Sequence, residues 1–293
     1  MYPVAFEYLR ATDVNEAVAL LRRHGEEAKL LAGGQSLVPM MKLRVARPKY
    51  LIDIHRIRDL NYIREESGTI RIGAMTRHAE IEQSPLIHEK IPILAEAASA
   101  IGDAQVRNRG TIGGALVEAD PAGDYAAVVL ALDAVLHCVG PRGDRLIPAA
   151  EFFTFAYTTA LEADEIMTKV EFPMPAERSA GVYRKLERVA GDFAIVSAAV
   201  QMSVEQSGSC DRIGIGITGG NPTATKATAV EALILGKKLT PELIDEAGRL
   251  IQQNAEPIED LRGSAAYKKK VLSAILRRAL REALDKAKAG RLA

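Results

Sequence analysis

Residues 31–36 of the chain read LAGGQS, and residues 110–115 read GTIGGA. Each stretch combines two adjacent glycines with a hydroxyl side chain, Ser36 in the first and Thr111 in the second. Adjacent glycines let the backbone approach a ligand closely, and successive N–H groups can then converge on an anion such as a diphosphate. The two loops therefore predict a site that holds one diphosphate from both sides. For either loop taken alone, an ordinary turn is the alternative interpretation.

Neither loop has the spacing of the known nucleotide-binding fingerprints. GxGxxG and GxxxxGK[ST] are both absent from these stretches, which argues against a nicotinamide Rossmann site and a P-loop NTPase. The segment DPAGD, residues 120–124, follows the second loop. On spacing alone we favour Asp124 as the N-cap of a helix over residues 125–134. The alternative is a carboxylate that accepts hydrogen bonds from ribose or ribityl hydroxyls.

Hydrophobic periodicity and turn residues outline the domain organisation. A helix over residues 13–24 between short strands makes the first 55 residues or so a small βαβ-type unit. Pro173 and Pro175 mark the best domain boundary, so we expect a domain 1–176, with subdomains of about 1–55 and 56–176, and a second domain 177–293. Further elements are predicted as strands 61–64, 69–72, 135–139, 166–172, 181–187, 194–204 and 212–218, and helices 92–100, 124–134, 224–236, 240–254 and 264–288.

The composition excludes several classes of protein. The 293 residues include 38 Lys+Arg and 38 Asp+Glu, so the formal net charge is zero, whereas nucleic-acid-binding domains carry a basic excess. Cys138 and Cys210 are far apart in sequence, and an iron–sulfur cluster or a structural zinc needs about four ligands. We expect no metal site in this chain, a cytoplasmic location, no signal peptide and no membrane span.

The polar residues do not form a recognisable acid–base or nucleophilic constellation. The five histidines are scattered, and none has metal-ligand spacing. Residues 183–188 read YRKLER, an alternation that on a strand usually marks an exposed face. A Lys or Arg in this stretch could alternatively stabilise a reduced, anionic flavin. The sequence therefore predicts that a bound cofactor, and not a side chain, performs the chemistry.

Taken together, the chain resembles the FAD-binding medium subunit of the molybdenum hydroxylase family, which includes aerobic carbon monoxide dehydrogenases and xanthine dehydrogenases. The resemblance covers nearly the whole length. It rests on several segments in the family's order, namely AGGQSL (32–37), PMMKLR (39–44), PKYLIDI (48–54), QVRNRGTIGG (105–114), DPAGD (120–124), KL (185–186), GDFA (191–194) and DLRGSAAY (260–267).

This resemblance implies an α+β fold: a two-subdomain FAD-binding domain of the PCMH type, followed by a smaller domain of antiparallel strands and helices. It implies that the loops hold the diphosphate, that Asp124 binds sugar or ribityl hydroxyls, and that Lys185, with Arg184 as its rival, lies near the isoalloxazine. Gln35 and Ala115 replace polar residues common in relatives, which implies a changed affinity and an intact backbone cradle. The implied cofactor-binding residues are Ala32, Gly33, Gly34, Gln35, Ser36, Leu37, Ile101, Thr111, Ile112, Gly113, Gly114, Ala115, Asp120, Asp124, Met167 and Lys185.

The resemblance also implies a role and partners. A large subunit would carry molybdopterin, and a small subunit would relay electrons through [2Fe–2S] clusters, in a dimer of heterotrimers. This chain would pass the electrons through FAD to an external acceptor. Two alternatives stay open: a self-contained flavin oxidoreductase, which would turn over alone, and a scaffold subunit that has lost FAD, which would stay colourless when FAD is added.

Overall fold

The computed structural model describes residues 2–176 and 178–290. Its N-terminal region, residues 2–55, contains a three-stranded parallel sheet in the order β1-β3-β2. The elements are β1 (Glu7–Arg10), α1 (Val14–His24), β2 (Ala28–Leu31), α2 (Leu37–Lys42) and β3 (Tyr50–Asp53). The predicted βαβ-type unit is confirmed, and the structure adds β1 and the short helix α2.

Helix α1 begins and ends at residues whose capping role the sequence predicts. The Asp13 carboxylate accepts a hydrogen bond from Glu16 N at 2.9 Å, and the Glu16 carboxylate accepts one from Thr12 N at 2.7 Å. The first bond satisfies an N–H group that the first helical turn leaves unpaired, and the second ties the residue before the N-cap to that turn. Gly25 ends the helix with φ +53°. The apolar face of α1 is buried against β3 and β2.

The middle region, residues 56–176, contains a five-stranded antiparallel sheet in the order β4-β5-β10-β6-β7. Its strands are β4 (Ile63–Glu66), β5 (Thr69–Gly73), β6 (Val135–Gly140), β7 (Gly143–Pro148), β8 (Phe153–Phe155), β9 (Thr158–Thr159) and β10 (Ile166–Pro173), of which β8 and β9 form a separate pair. Its helices are α3 (His78–Gln83), α4 (Pro85–Lys90), α5 (Pro92–Ser99), α6 (Ala104–Arg107), α7 (Ile112–Glu118), α8 (Asp124–Ala131) and α9 (Ala149–Phe152). The predicted strands 61–64 and 69–72 are confirmed as the paired strands β4 and β5, and the predicted strands 135–139 and 166–172 are confirmed as β6 and β10.

The C-terminal region, residues 178–290, is a four-stranded antiparallel sheet covered by helices. The strands are β11 (Ser179–Leu186), β12 (Val196–Val204), β13 (Cys210–Thr218) and β14 (Thr225–Lys226). The helices are α10 (Thr228–Ile234), α11 (Pro241–Asn254) and α12 (Ala265–Lys288). Helix α10 is shorter than the predicted 224–236, because residues 225–226 pair with β13 as an edge strand.

Both faces of the C-terminal sheet are covered. Helix α12 packs on β11 and β12, while α5 and α8 of the middle region pack on β11, β12 and β13. Every residue of α8 is buried. A helix that is apolar all round belongs inside a protein, and α8 occupies that position between the middle and C-terminal regions.

The α+β class is confirmed, since the described chain combines one parallel and two larger antiparallel sheets with surrounding helices. The chain passes from the middle sheet to the C-terminal sheet between Pro173 and Ser179. The boundary expected after residue 176 stays a prediction, because residue 177 lies outside the described residues. None of the helices in the described ranges combines the length and the apolar character needed to cross a membrane.

Candidate cofactor site

The first glycine loop follows β2, at the carboxyl end of the parallel sheet. Ligands of open parallel sheets bind at this edge. Gly34 takes φ +74°, in the left-handed region that favours glycine. Within residues 2–176 and 178–290, no backbone N–H of residues 32–37 donates a hydrogen bond to the protein. The loop thus presents a row of free, uncharged donors, which suits an anion.

The second glycine loop uses most of its own donors. Thr111 is the N-cap of α7, and its hydroxyl accepts a hydrogen bond from Gly114 N at 3.1 Å. Ile112 N donates to Thr76 O at 3.0 Å, and Gly113 N donates to Ala74 O at 2.9 Å. Ala115 N donates to Thr111 O within the first helical turn at 3.0 Å. These bonds fix the shape of the second loop and leave fewer free donors there than in the first.

The structure brings the two loops into direct contact. A Cβ atom on Gly33 would overlap the Arg109 carbonyl and lie 2.7 Å from Gly110 Cα. A Cβ atom on Gly114 would lie 3.8 Å from Ala32 Cβ. Only glycine at position 33 allows backbones this close. The sequence suggested that the loops face one ligand, and the fold places them side by side.

His78 lies behind the second loop and was not identified from the sequence. Its backbone N–H donates to Gly110 O at 3.1 Å, and a Cβ atom on Gly110 would lie 2.5 Å from its Nε2. Burial, together with the nearby Arg107, lowers the His78 pKa from 6.5 to about 4. The ring packs on Tyr125, with centroids 5.3 Å apart. His78 is therefore a neutral support of the loop; a lone histidine in a helical pattern gives no signal of this.

Asp124 is buried at the start of α8, and its expected capping role is wrong. Gly123 is the N-cap, and Asp124 is the first residue of the helix. The Asp124 carboxylate instead accepts a hydrogen bond from the Tyr183 hydroxyl at 2.6 Å and forms an ion pair with Lys185 at 3.0 Å. Burial raises the Asp124 pKa, while the Lys185 charge acts in the opposite direction. The carboxylate is thus held by the C-terminal region and does not cap its own helix.

Lys185 is buried, contrary to the exposed face that the alternating charges suggested. Its side chain is 5% exposed, and its Nζ donates to Ala100 O at 2.7 Å and to Asp192 O at 2.9 Å. Arg184, the alternative to Lys185 as the cation near the isoalloxazine, pairs instead with Glu282 on α12 and with Glu96. Of the two cations, only Lys185 contacts Asp124 and the turn that precedes Ile101.

The other expected residues lie around these loops in different settings. Asp120 accepts a hydrogen bond from Ala122 N at 2.9 Å and from the Tyr157 hydroxyl at 3.2 Å. Ile101 is half-buried in the turn after α5, whereas Met167 on β10 is packed in the core. Gln35 is exposed, and Ala115 is half-buried on α7. Tyr157 was missed, because its partner Asp120 lies 37 positions away in sequence.

The chemistry of these groups fits FAD. Free backbone N–H groups and the hydroxyls of Ser36 and Thr111 suit a diphosphate without adding charge. Carboxylates such as those of Asp120 and Asp124 suit sugar or ribityl hydroxyls. Across the described ranges, no group of three or more His, Cys, Asp or Glu side chains is arranged to hold a metal ion.

Comparisons with known protein families cover both parts of the chain. Residues 4–175 match the FAD binding domain in molybdopterin dehydrogenase, and residues 181–283 match the CO dehydrogenase flavoprotein C-terminal domain. The chain therefore belongs to the family of FAD-binding medium subunits of CO dehydrogenase-type molybdenum hydroxylases. It is a subunit of a flavoprotein oxidoreductase, as the sequence resemblance implied.

Individual relatives agree over nearly the full length. The carbon monoxide dehydrogenase medium chain of Hydrogenophaga pseudoflava is 44% identical, over 97% of this chain and 98% of its own. A solved carbon monoxide dehydrogenase from the same organism superposes with a TM-score of 0.96 at 45% identity, covering 98% and 99% of the two chains. Quinoline 2-oxidoreductase from Pseudomonas putida 86 has a TM-score of 0.92 at 29% identity, covering 98% and 99%.

Proposed function

We propose that this chain holds FAD between its two glycine loops and transfers electrons from [2Fe–2S] clusters of a partner subunit to an external acceptor. Bound FAD supplies the ability to take up and release electrons, which no side chain of the site has. The observation that carries the proposal is the row of free N–H donors of residues 32–37 in contact with the second loop.

We assign the diphosphate mainly to the first loop. Residues 32–37 offer donors that the protein leaves unused, whereas the N–H groups of residues 112–115 already have protein acceptors. The second loop then acts largely as a support that packs against Gly33. Its own contribution to the cofactor is the Thr111 side chain. Gln35 is exposed at the tip of the first loop and adds amide donors without positive charge.

We assign the remaining expected residues to the rest of the cofactor. Asp124, with Asp120 nearby along the chain, supplies carboxylate acceptors for hydroxyls. Ile101, which is half-buried, supplies apolar surface for a ring system, whereas Met167 is packed in the core and offers little surface to a ligand. Lys185 orders the turn at residues 100–102 through its bond to Ala100 O. These roles are supported by the family to which the chain belongs and, for Lys185, by its hydrogen bond to the turn before Ile101.

We propose that the partners are a large molybdopterin subunit and a small iron–sulfur subunit, assembled as a dimer of heterotrimers. Solved relatives include a Cu,Mo-CO dehydrogenase and a carbon monoxide dehydrogenase that lacks the Mo-pyranopterin moiety of its molybdenum cofactor. Cys138 and Cys210 are buried in different sheets, on β6 and β13, so they do not form a cluster site. A cytoplasmic location stays a prediction from cysteine usage.

The test is the absorption spectrum of the purified chain with and without added FAD. We expect flavin bands that disappear in a Gly33→Asp/Gly113→Asp variant, because Asp at position 33 collides with Gly110 and at position 113 with Ala74, whose carbonyl oxygen would lie 2.7 Å from the new Cβ. Gln206→Asp is the control, since Gln206 is exposed in the turn between β12 and β13 and does not contact either glycine loop. A folded wild-type chain that binds no FAD, alone or with its partner subunits, would disprove the proposal.

A further inference from the structure

The buried ammonium of Lys185 has more anionic partners than its charge requires. Besides Asp124 at 3.0 Å, it forms an ion pair with Glu187 at 2.9 Å, and it donates to the carbonyls of Ala100 and Asp192. The single positive charge of Lys185 thus lies at similar distances from two carboxylates. Asp124 is buried, whereas the Glu187 side chain is 25% exposed.

Glu187 also shapes the loop that follows β11. Its carboxylate accepts a hydrogen bond from Gly191 N at 3.2 Å. Gly191 takes φ +83°, and a Cβ atom there would lie 2.5 Å from Gly102 O. The loop of residues 187–192 therefore touches the turn of residues 100–102. Glu187 lies at the junction of these two segments and has no place among the expected cofactor-binding residues.

This junction adjoins the residues assigned to the flavin, and the following inference rests on the proposed function. Ile101 belongs to the turn, and Asp124 shares the Lys185 ammonium with Glu187. A flavin gains negative charge character when it is reduced, and a nearby cation favours that state while an anion opposes it. Partial burial strengthens both effects because the local dielectric constant is below that of water.

We propose that Glu187 is a positioning residue that masks the positive charge of Lys185 and thereby keeps the reduction potential of bound FAD low. Asp124 alone would leave the Lys185 pair neutral, and the second carboxylate makes the group net negative. Removing the Glu187 charge therefore makes reduction of the flavin easier. The structural part of its role, the bond to Gly191 N, depends on an oxygen acceptor and not on charge.

The test is a spectroelectrochemical titration of the FAD-loaded full chain carrying Glu187→Gln. The amide oxygen of Gln can still accept the Gly191 N–H, so the loop keeps its shape while the charge is lost. We expect the midpoint reduction potential of the flavin to become more positive. At a fixed potential the ratio of oxidised to reduced flavin should change about tenfold, which for a two-electron couple corresponds to about 30 mV. Glu187→Asp, which keeps the charge, should stay close to the wild type.

Glu282→Gln is the matched control. It removes a carboxylate from Arg184, the neighbour of Lys185 on the same strand, whose partners lie on α12 and α5. We expect this variant to bind FAD with an unchanged midpoint. Glu187→Ala removes the charge and the bond to Gly191 N together, and it should shift the midpoint in the same direction as Glu187→Gln.

The outcomes separate this inference from the proposed function. FAD bound normally by Glu187→Gln with an unchanged midpoint would overturn the inference and leave the cofactor site standing. Equal shifts in Glu187→Gln and Glu187→Asp, or loss of flavin from a folded Glu187→Gln chain, would show a role in shape or binding and also overturn it. A wild-type chain without flavin would instead count against the proposed function.

Discussion

Single residues of the site act through hydrogen bonds and burial more than through net charge. Thr111 caps α7, His78 supports the second loop in its neutral form, and Lys185 has its charge opposed by two carboxylates. The proposed site would bind an anionic cofactor through oriented dipoles, whose positions are fixed before the ligand arrives. Substitutions of the residues that fix this orientation are therefore expected to weaken cofactor binding most.

At Thr111 we expect replacement by Val to cost about 1 kcal/mol of stability, the usual value of a lost N-cap, and also to weaken FAD binding. Thr240→Val removes an equivalent cap from α11, where the hydroxyl accepts from Leu243 N at 3.3 Å. It should cost a similar free energy of unfolding and leave FAD affinity unchanged. Urea unfolding and a flavin titration measure the two effects, and equal affinity losses in both variants would contradict the assignment of Thr111.

At His78 we expect a pH dependence of stability. The pKa of His78 is about 4 in the folded chain, against an ordinary value of 6.5 that applies to the unfolded chain. As the pH falls, the unfolded chain therefore binds the proton at a higher pH than the folded chain does. Stability is therefore complete above about pH 6.5 and falls towards pH 4, by about 1.4 kcal/mol per pH unit and about 3 kcal/mol in all. Urea unfolding of wild type and His78→Gln at several pH values should show this slope only in the wild type.

His88→Gln serves as the control for that comparison, because His88 is exposed. It should keep the pH slope of the wild type. A His78→Gln chain with the same slope as the wild type would mean that other groups cause the acid destabilisation.

At the scale of elements, the contact between α8 and β13 holds the middle and C-terminal regions together. Gly214 and Gly216 on β13 lie directly under α8, where Cβ atoms would overlap the carbonyl oxygens of Ala131 and Ala127. Glycine inside a strand weakens the strand itself, so its presence here reflects the close approach of the helix backbone. The register of the helix on the sheet depends on these two positions.

We expect Gly216→Ala to destabilise the chain by about 1–3 kcal/mol, because the added methyl must push α8 away from the sheet. Arg212→Ala on the same strand is the control, since Arg212 is exposed, and its effect should stay within about 0.5 kcal/mol. Urea unfolding followed by circular dichroism measures both. A Gly216→Ala chain as stable as the control would show that the helix can shift without cost.

At the scale of the whole molecule, the residues proposed to bind the cofactor come from both the middle and the C-terminal regions. Asp124 on α8 contacts Tyr183 and Lys185 on β11. Glu96 on α5 pairs with Lys286 on α12 at 3.1 Å, and such half-exposed ion pairs contribute little compared with the burial of α5 and α8. A ligand bound at this junction should therefore stabilise both parts of the chain.

We expect FAD at about 100 times its dissociation constant to add about 2.7 kcal/mol to the free energy of unfolding. Hydrogen exchange should show added protection in the glycine loops and also in β12, which lies beyond the cofactor residues. The Gly33→Asp/Gly113→Asp variant should show neither effect. Protection confined to residues before 176 would mean that the C-terminal region unfolds independently of the site.

The sequence alone determined the features that short-range physics governs. The helix at α1, the hairpin of β4 and β5 and the two glycine loops each carry capping, alternation or glycine signals within a few residues. Such signals act locally, so they can be read without knowing the fold. The short edge strand β1 was not predicted, because its side chains are mostly exposed and show no alternation of buried and exposed residues.

Tertiary structure alone decided which groups meet. It placed Gly33 against Gly110, buried Lys185 between Asp124 and Glu187, and put the neutral His78 behind the second loop. A charged side chain reads as exposed in a sequence pattern, because burial of a charge becomes tolerable only when partners from distant segments surround it. Those partners, 61 positions away for Asp124, are chosen by the packing of α8 on the C-terminal sheet, which no local signal specifies.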